Sequence, residues 1–276
     1  MKRLLRLLIV LCFLGLAFMG AFFIVGFLLS ALSPNAPTPV PVPSAPNKQN
    51  KYPAPVTTED ASPYLHEISL LMDLPAAVAE KKRAISHYTT IDKIAPDVLH
   101  AVVAVEDSRF YSHWGFDPKG MARALLVNLK AGHVEEGAST ITQQLAKNMF
   151  LNDRQSFSRK AEELLFALDL EAHFSKDEIL ELYLNTIYFG AGFTGIGEAA
   201  PGYFDLPPAK LDLAESAMLA GLPNAPSLYS PYEDFMLGKK RQLIVLDAME
   251  KNGYITAAAA ASARIEPLTF ARNFAP

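Results

Sequence analysis

The chain has 276 residues, enough for roughly one domain of 150–200 residues plus additional segments. Half of its residues are hydrophobic and a fifth are charged, which excludes disorder of the whole chain. Its 25 Lys+Arg against 29 Asp+Glu give a net charge of -4, too mild for a protein living on nucleic-acid phosphates, and the single Cys12 excludes a disulfide framework or a cysteine-based zinc site.

In chain order, residues 1–6 read as a cytoplasmic tail carrying Lys2, Arg3 and Arg6. Leu7 to Leu32 runs without a charge and with one hydroxyl, Ser30. As a helix it would be about 39 Å long, enough to cross a bilayer with tilt, whereas the apolar core of a cleaved signal peptide is usually ~7–15 residues. The positive-inside tendency keeps the leading cations in the cytoplasm and puts everything after Leu32 outside. Residues 33–63 are a composition break. Pro34, Pro37, Pro39, Pro41, Pro43 and Pro46 favour an extended polyproline stalk.

Residues 64–276 read as a single, mostly α body. The apolar spacing predicts helices over Ile91–Val105, Lys119–Leu129, Thr140–Phe150, Ser158–His173, Leu211–Leu222 and Lys239–Lys251. Ser175 and Glu178 make a capping box ahead of another helix, and Gly190, Gly192, Gly195 and Gly197 predict a flexible loop. No repeat and no phosphate-cradling glycine loop with Lys-Ser/Thr is visible.

Three stretches are unusually polar for a helical body. Glu106-Asp107-Ser108-Arg109-Phe110-Tyr111-Ser112-His113-Trp114-Gly115 follows directly on the apolar run ending at Val105. A carboxylate there can acquire a raised pKa and act as a general base, or be an ordinary charge in a helix-terminal turn. Gly137 to Asn148 holds Ser139, Thr140, Gln143, Gln144 and Lys147, which suit a sugar or phosphate, or the polar face of a capped amphipathic helix. Arg159, Lys160 and Glu163 share a helix face, either as a solvated ion pair or as a second carboxylate among anion-holding cations. Each stretch taken alone leaves both alternatives standing.

Together and in this order they resemble the peptidoglycan glycosyltransferase family (glycosyltransferase 51). The pattern Glu-Asp-x-x-Phe-x-x-His-x-Gly is met by Glu106, Asp107, Phe110, His113 and Gly115, and Gly-x-Ser-Thr-(Ile/Leu)-Thr-Gln-Gln-x-x-Lys-(Asn/Asp) by Gly137 through Asn148. Arg-Lys-x-x-Glu is met by Arg159, Lys160 and Glu163. The run Ser175 to Gly190 and the run Leu219 to Pro226 resemble the fourth and fifth motifs.

The resemblance implies a lysozyme-like, mostly α domain with a small membrane-associated jaw. The apolar helix Met121–Leu129, flanked by Lys119, Arg123 and Lys130, fits that jaw, although an ordinary core-facing helix has the same pattern. It implies polymerisation of lipid II into β-1,4 glycan strands on the outer, periplasmic face of the cytoplasmic membrane, with inversion and release of undecaprenyl pyrophosphate. Glu106 is then the general base. Lys147, Arg159 and Lys160 hold the pyrophosphate, and Ser139, Thr140, Gln143 and Gln144 shape the donor-side pocket. Glu163 is a second catalytic carboxylate that organises those cations, holds a divalent ion such as Mg or Mn, or assists the leaving group. No organic cofactor is implied. Arg154 and Arg241 are weaker phosphate candidates, and His113 reads as a hydrogen-bonded turn residue. The partners implied are lipid II, the growing lipid-linked glycan, the membrane and other cell-wall synthesis proteins, with no nucleic acid.

No Ser-x-x-Lys acyl-enzyme module follows in these 276 residues, so both a monofunctional polymerase and part of a bifunctional protein stay open. Two rival readings are a membrane-anchored lysozyme-like hydrolase and a non-catalytic wall-synthesis scaffold. The set Lys147, Arg159 and Lys160 speaks against the first, since hydrolysis has no pyrophosphate to hold. The presence of both Glu106 and Glu163 speaks against the second.

Overall fold

The computed structural model of the chain describes residues 70, 73–132, 137–151 and 157–272. The expected anchor (7–32), the stalk (33–63) and Arg154 lie outside the described residues. Among the described residues no helix is long and apolar enough to cross a membrane. The described residues form two compact units, 118–138 on one side and the remainder on the other.

The larger unit is mostly helical. Its helices are α1 (Leu74–Arg83) and α2 (Pro96–Glu106), then, past the smaller unit's α3 (Pro118–Ala131), α4 (Ile141–Phe150), α5 (Phe157–His173) and α6 (Lys176–Thr186). A short hairpin, β1 (Tyr188–Gly190) with β2 (Phe193–Thr194), leads to α7 (Ile196–Phe204), α8 (Leu213–Gly221), α9 (Pro226–Tyr229), α10 (Phe235–Lys251) and α11 (Ala257–Ile265).

Helix α2 is apolar nearly all round and accordingly sits inside. Val98, Ala101, Val102, Val103 and Ala104 are all buried, and the helix packs against α8 and α10. Small residues make that close packing feasible: Ala214, Ala217 and Ala220 of α8 are fully buried. A second layer joins α4 to α5 and α6. Side-chain caps set several starts: Thr140 accepts from Gln143 N, Ser175 from Glu178 N and Asp212 from Glu215 N, each in a reciprocal capping box. The box expected at Ser175 and Glu178 is therefore present.

Two expectations are corrected. The helix expected over Ile91–Val105 begins only at Pro96; Ile91–Lys93 is a separate 3₁₀ turn. Proline serves as a first helical residue while pushing the residue before it out of the α region, and Ala95 is extended there. The glycine loop is no loose segment either. Tyr188 pairs with Thr194 and Gly190 with Phe193, and Gly197 lies inside α7. A Cβ on Gly190, whose φ is +85°, would stand 2.5 Å from the Pro226 carbonyl oxygen, and one on Gly197 would stand 2.0 Å from that of His87. Those glycines are there for close backbone approach.

The polar residues of α6 pin the segment before α2. Glu181 accepts from the Tyr88 hydroxyl at 2.5 Å, Lys82 Nζ at 3.0 Å and Ile91 N at 2.8 Å. Buried Asn185 accepts from Thr89 N and donates to the carbonyls of Thr89 and Glu181.

In the smaller unit, α3 starts at Pro118 and carries Leu126 and Leu129 at 59% and 44% exposure. Of the apolar residues Met121, Leu125, Leu126 and Leu129 that define its stripe, the last two thus face solvent, where an ordinary core helix would bury them.

Candidate active site

Glu106 is the last residue of α2, so the buried helix delivers its carboxylate to the edge of the core. The side chain is only 8% exposed. Its Oε2 accepts a 2.9 Å hydrogen bond from Gln144 Nε2. Its buried Oε1 accepts none from the described residues and lies 3.7 Å from an Arg241 guanidinium nitrogen. Burial pushes the Glu106 carboxyl above its ordinary value, against the opposing pulls of the Gln144 hydrogen bond and the Arg241 charge, while neighbouring Asp107 adds to the rise.

The next residue does different work. Asp107 caps α2, and its carboxylate accepts from Ile141 N at 3.1 Å and lies 2.9 and 3.0 Å from His113 Nε2. It thereby fastens the end of α2 to the start of α4. Thr140 makes a second tie, its hydroxyl donating to the Gly115 carbonyl at 2.7 Å. His113 sits with its ring buried in this turn, the setting expected for it.

The two adjacent glutamines on α4 have separate fates, because successive helical residues point about 100° apart. Gln143 is buried, its Oε1 accepting from Thr140 N in the capping box. Gln144 reaches Glu106 with Nε2 and accepts from the Tyr183 hydroxyl of α6 at 3.0 Å with Oε1. The polar groups of Thr140 and Gln143 hold the helix start, whereas Ser139 is exposed and Gln144 half-buried. Lys147 follows one turn later and is exposed.

A second cluster sits on α5. Lys160 pairs with Glu163, one helical turn away, and its Nζ stands 3.3 Å from Ser139 Oγ. Glu163 is buried. Arg159 is half-buried beside them. Among the described residues no group of three or more His, Cys, Asp or Glu side chains could hold a metal ion.

The α4 start joins the two clusters, Ser139 touching Lys160 and Gln144 touching Glu106. Arg241, expected as a phosphate candidate, is placed beside Glu106, its Nε donating to the Gly221 carbonyl at 3.2 Å. Sequence reasoning passed over Tyr183 and the clamping role of Asp107. The available signal for Tyr183 was a lone phenol in the apolar run Ile179-Leu180-Leu182-Tyr183-Leu184.

The Glu106 carboxylate is thus shielded, its Oε1 accepting no hydrogen bond from the described residues and facing the Arg241 charge, close to a helix start that carries hydroxyl, amide and cationic side chains. The chain belongs to the transglycosylase family, whose profile matches residues 75–250. Penicillin-binding protein 1A of Neisseria flavescens is 50% identical over 169 residues, 61% of this chain and 21% of that protein. Penicillin-binding protein 1A of Escherichia coli K12 is 46% identical over 184 residues, 67% of this chain and 21% of that protein. The chain thus spans about a fifth of the length of these relatives. A crystal structure of penicillin-binding protein 1A from Haemophilus influenzae matches 67% of this chain and 18% of its own at 23% identity, with a TM-score of 0.42.

Proposed function

We propose that this chain is a peptidoglycan glycosyltransferase that polymerises lipid II into β-1,4 glycan strands for cell-wall synthesis. The observation that carries the reading is the buried Glu106 carboxylate, with Oε2 held by Gln144 and Oε1 accepting no hydrogen bond from the described residues. Oε1 takes the proton from the 4-hydroxyl of the incoming GlcNAc. That oxygen forms a bond to C1 of the MurNAc at the end of the growing chain as the C1–O bond to the lipid pyrophosphate breaks. Attack opposite the leaving group inverts C1, the geometry of an inverting glycosidase with a sugar hydroxyl in place of water.

The departing pyrophosphate needs cations. Lys147, Arg159 and Lys160 supply them, and Arg154, outside the described residues, is a further candidate. Glu163 acts through Lys160, holding its ammonium beside Ser139. Arg241 acts on the base and not on the phosphate, a placement supported by its 3.7 Å approach to Glu106.

A lipid-tethered substrate is met only at a bilayer. Residues 7–32 supply a single-pass anchor in the cytoplasmic membrane with its N-terminus inside, and residues 33–63 a short stalk to the outer face. The domain is lysozyme-like, and α3 forms its membrane-facing jaw, a reading supported by the exposed Leu126 and Leu129. Partners are lipid II, the growing strand, the membrane and cell-wall synthesis proteins.

The test is incubation of the purified chain in detergent with labelled lipid II. Long strands that a muramidase digests, and that disappear in Glu106→Gln while lipid II still binds, are expected. Undiminished strands from Glu106→Gln would remove Glu106 as the base, and bound lipid II without product from the unaltered chain would leave a scaffold.

A further inference from the structure

Gln144 has a choice to make that its own backbone does not decide. An amide can present either its NH2 or its oxygen to Glu106, the two ends being nearly equal in shape. An ionised carboxylate accepts only, so it requires Nε2; a protonated carboxyl can also donate to the amide oxygen. Whatever binds the far end of the Gln144 amide therefore selects between the charged and the neutral base.

The far end meets Tyr183. This side chain is fully buried on α6, and its hydroxyl lies 3.0 Å from Gln144 Oε1. We infer that Tyr183 is a positioning residue for the base: by donating to Gln144 Oε1 it turns Nε2 toward Glu106 Oε2 and leaves Oε1 as the atom that receives the acceptor's proton. The inference rests on the assignment of Glu106 as that base. Tyr183 touches no reacting atom and acts only through Gln144.

The donor is dependable across the working pH. Burial, with the carboxylates of Glu106 and Asp107 nearby, holds the Tyr183 phenol well above its ordinary value. Few other groups compete at Glu106. Helix α10 presents Arg241, whose charge favours ionisation. Asp107 opposes it and is itself engaged by His113. The one titratable side chain of α8, Glu215, is held in its capping box with Asp212, and on α4 Lys147 is exposed.

Without the Tyr183 hydroxyl the Gln144 amide is free to offer its oxygen to a protonated Glu106, and the neutral form gains. The acid limb of the rate profile should then move to higher pH. The experiment measures initial polymerisation rates on labelled lipid II in detergent from about pH 5 to about pH 9, for the unaltered chain, Tyr183→Phe, Gln144→Ala and the double variant, with thermal unfolding of each. We expect Tyr183→Phe to raise the midpoint of the acid limb by about half a unit to one unit, and Gln144→Ala to raise it at least as far. The double variant should match Gln144→Ala. An unmoved limb in Tyr183→Phe, or a further shift when it is added to Gln144→Ala, overturns the inference.

Should Tyr183→Phe not fold, difluorotyrosine at position 183 keeps the ring and strengthens the donor. The limb should then move down, and no movement or an upward one overturns the inference. Glu106→Gln run alongside separates the two levels. If it turns over normally the base assignment fails, whereas an inactive Glu106→Gln with an unmoved Tyr183→Phe removes only the role of Tyr183.

Discussion

Oε1 of Glu106 and a guanidinium nitrogen of Arg241 stand 3.7 Å apart, joined by charge and not by a hydrogen bond. Both side chains are shielded, at 8% and 13% exposure, so the attraction is little screened. Arg241 is held from behind by the Gly221 carbonyl, and a Cβ on residue 221 would come 2.8 Å from Arg241 Cγ. The Arg241 charge thus favours the ionised carboxylate without donating a hydrogen bond to it.

Removing that charge should therefore show in the pH profile. In Arg241→Ala the Glu106 carboxyl loses a group that lowers its pKa, so the acid limb of polymerisation moves to higher pH and the rate at low pH falls most. Initial rates on lipid II across pH check this; a uniform loss at every pH would instead fit a phosphate-binding arginine.

Glu106→Gln should abolish most polymerisation, about 10²- to 10⁴-fold as for loss of a general base. The same change should stabilise the fold. Burial raises Glu106 above its ordinary value of 4.5, so the native state binds its proton more tightly than the unfolded chain. As pH rises from the unfolded value through the folded one, stability is lost, and it stays lost above. Glutamine has no charge to desolvate. The melting temperature of the variant should exceed that of the unaltered chain at neutral pH, with the gap closing below about pH 4.5.

Asp107→Ala leaves the Ile141 N–H and His113 Nε2 without their acceptor at a buried joint. A loss of about 2–4 kcal/mol is expected from two stranded donors. Asp107→Asn keeps one acceptor oxygen and should lose less. Denaturant unfolding of the two variants makes the comparison.

Lys147 is exposed on α4, so Lys147→Ala should leave thermal unfolding unchanged while lowering the polymerisation rate strongly. Unchanged kinetics would move the pyrophosphate site elsewhere.

Gly190→Ala combines a φ of +85° with a Cβ 2.5 Å from the Pro226 carbonyl oxygen. A destabilisation on the order of 2 kcal/mol or more is expected. Calorimetric unfolding would read it directly.

Local signals were legible where one segment contains the whole cause. The apolar run of α2 announced a buried helix, and Ser175 with Glu178 announced its capping box, because both ends of those interactions lie within a few residues. The helical limits shifted where Pro96 forced a later start and where the helix expected from Lys239 begins already at Phe235, behind its Asp234 cap. Gly190, Gly195 and Gly197 misled for the opposite reason. What they accommodate is backbone from elsewhere, the carbonyls of Pro226, Asn185 and His87, and a single segment carries no trace of it.

By itself the sequence determined the helical class, the family and the carboxylates and cations available for chemistry, since residue types and short spacings encode those. Only the tertiary structure decided which of them act together. It separated Gln143, buried in a helix cap, from Gln144, which reaches Glu106, and brought Arg241 to that carboxylate from α10 and Tyr183 to the Gln144 amide from α6. Partnership across distant helices depends on how their faces pack, and raising the pKa of Glu106 depends on the water those faces exclude.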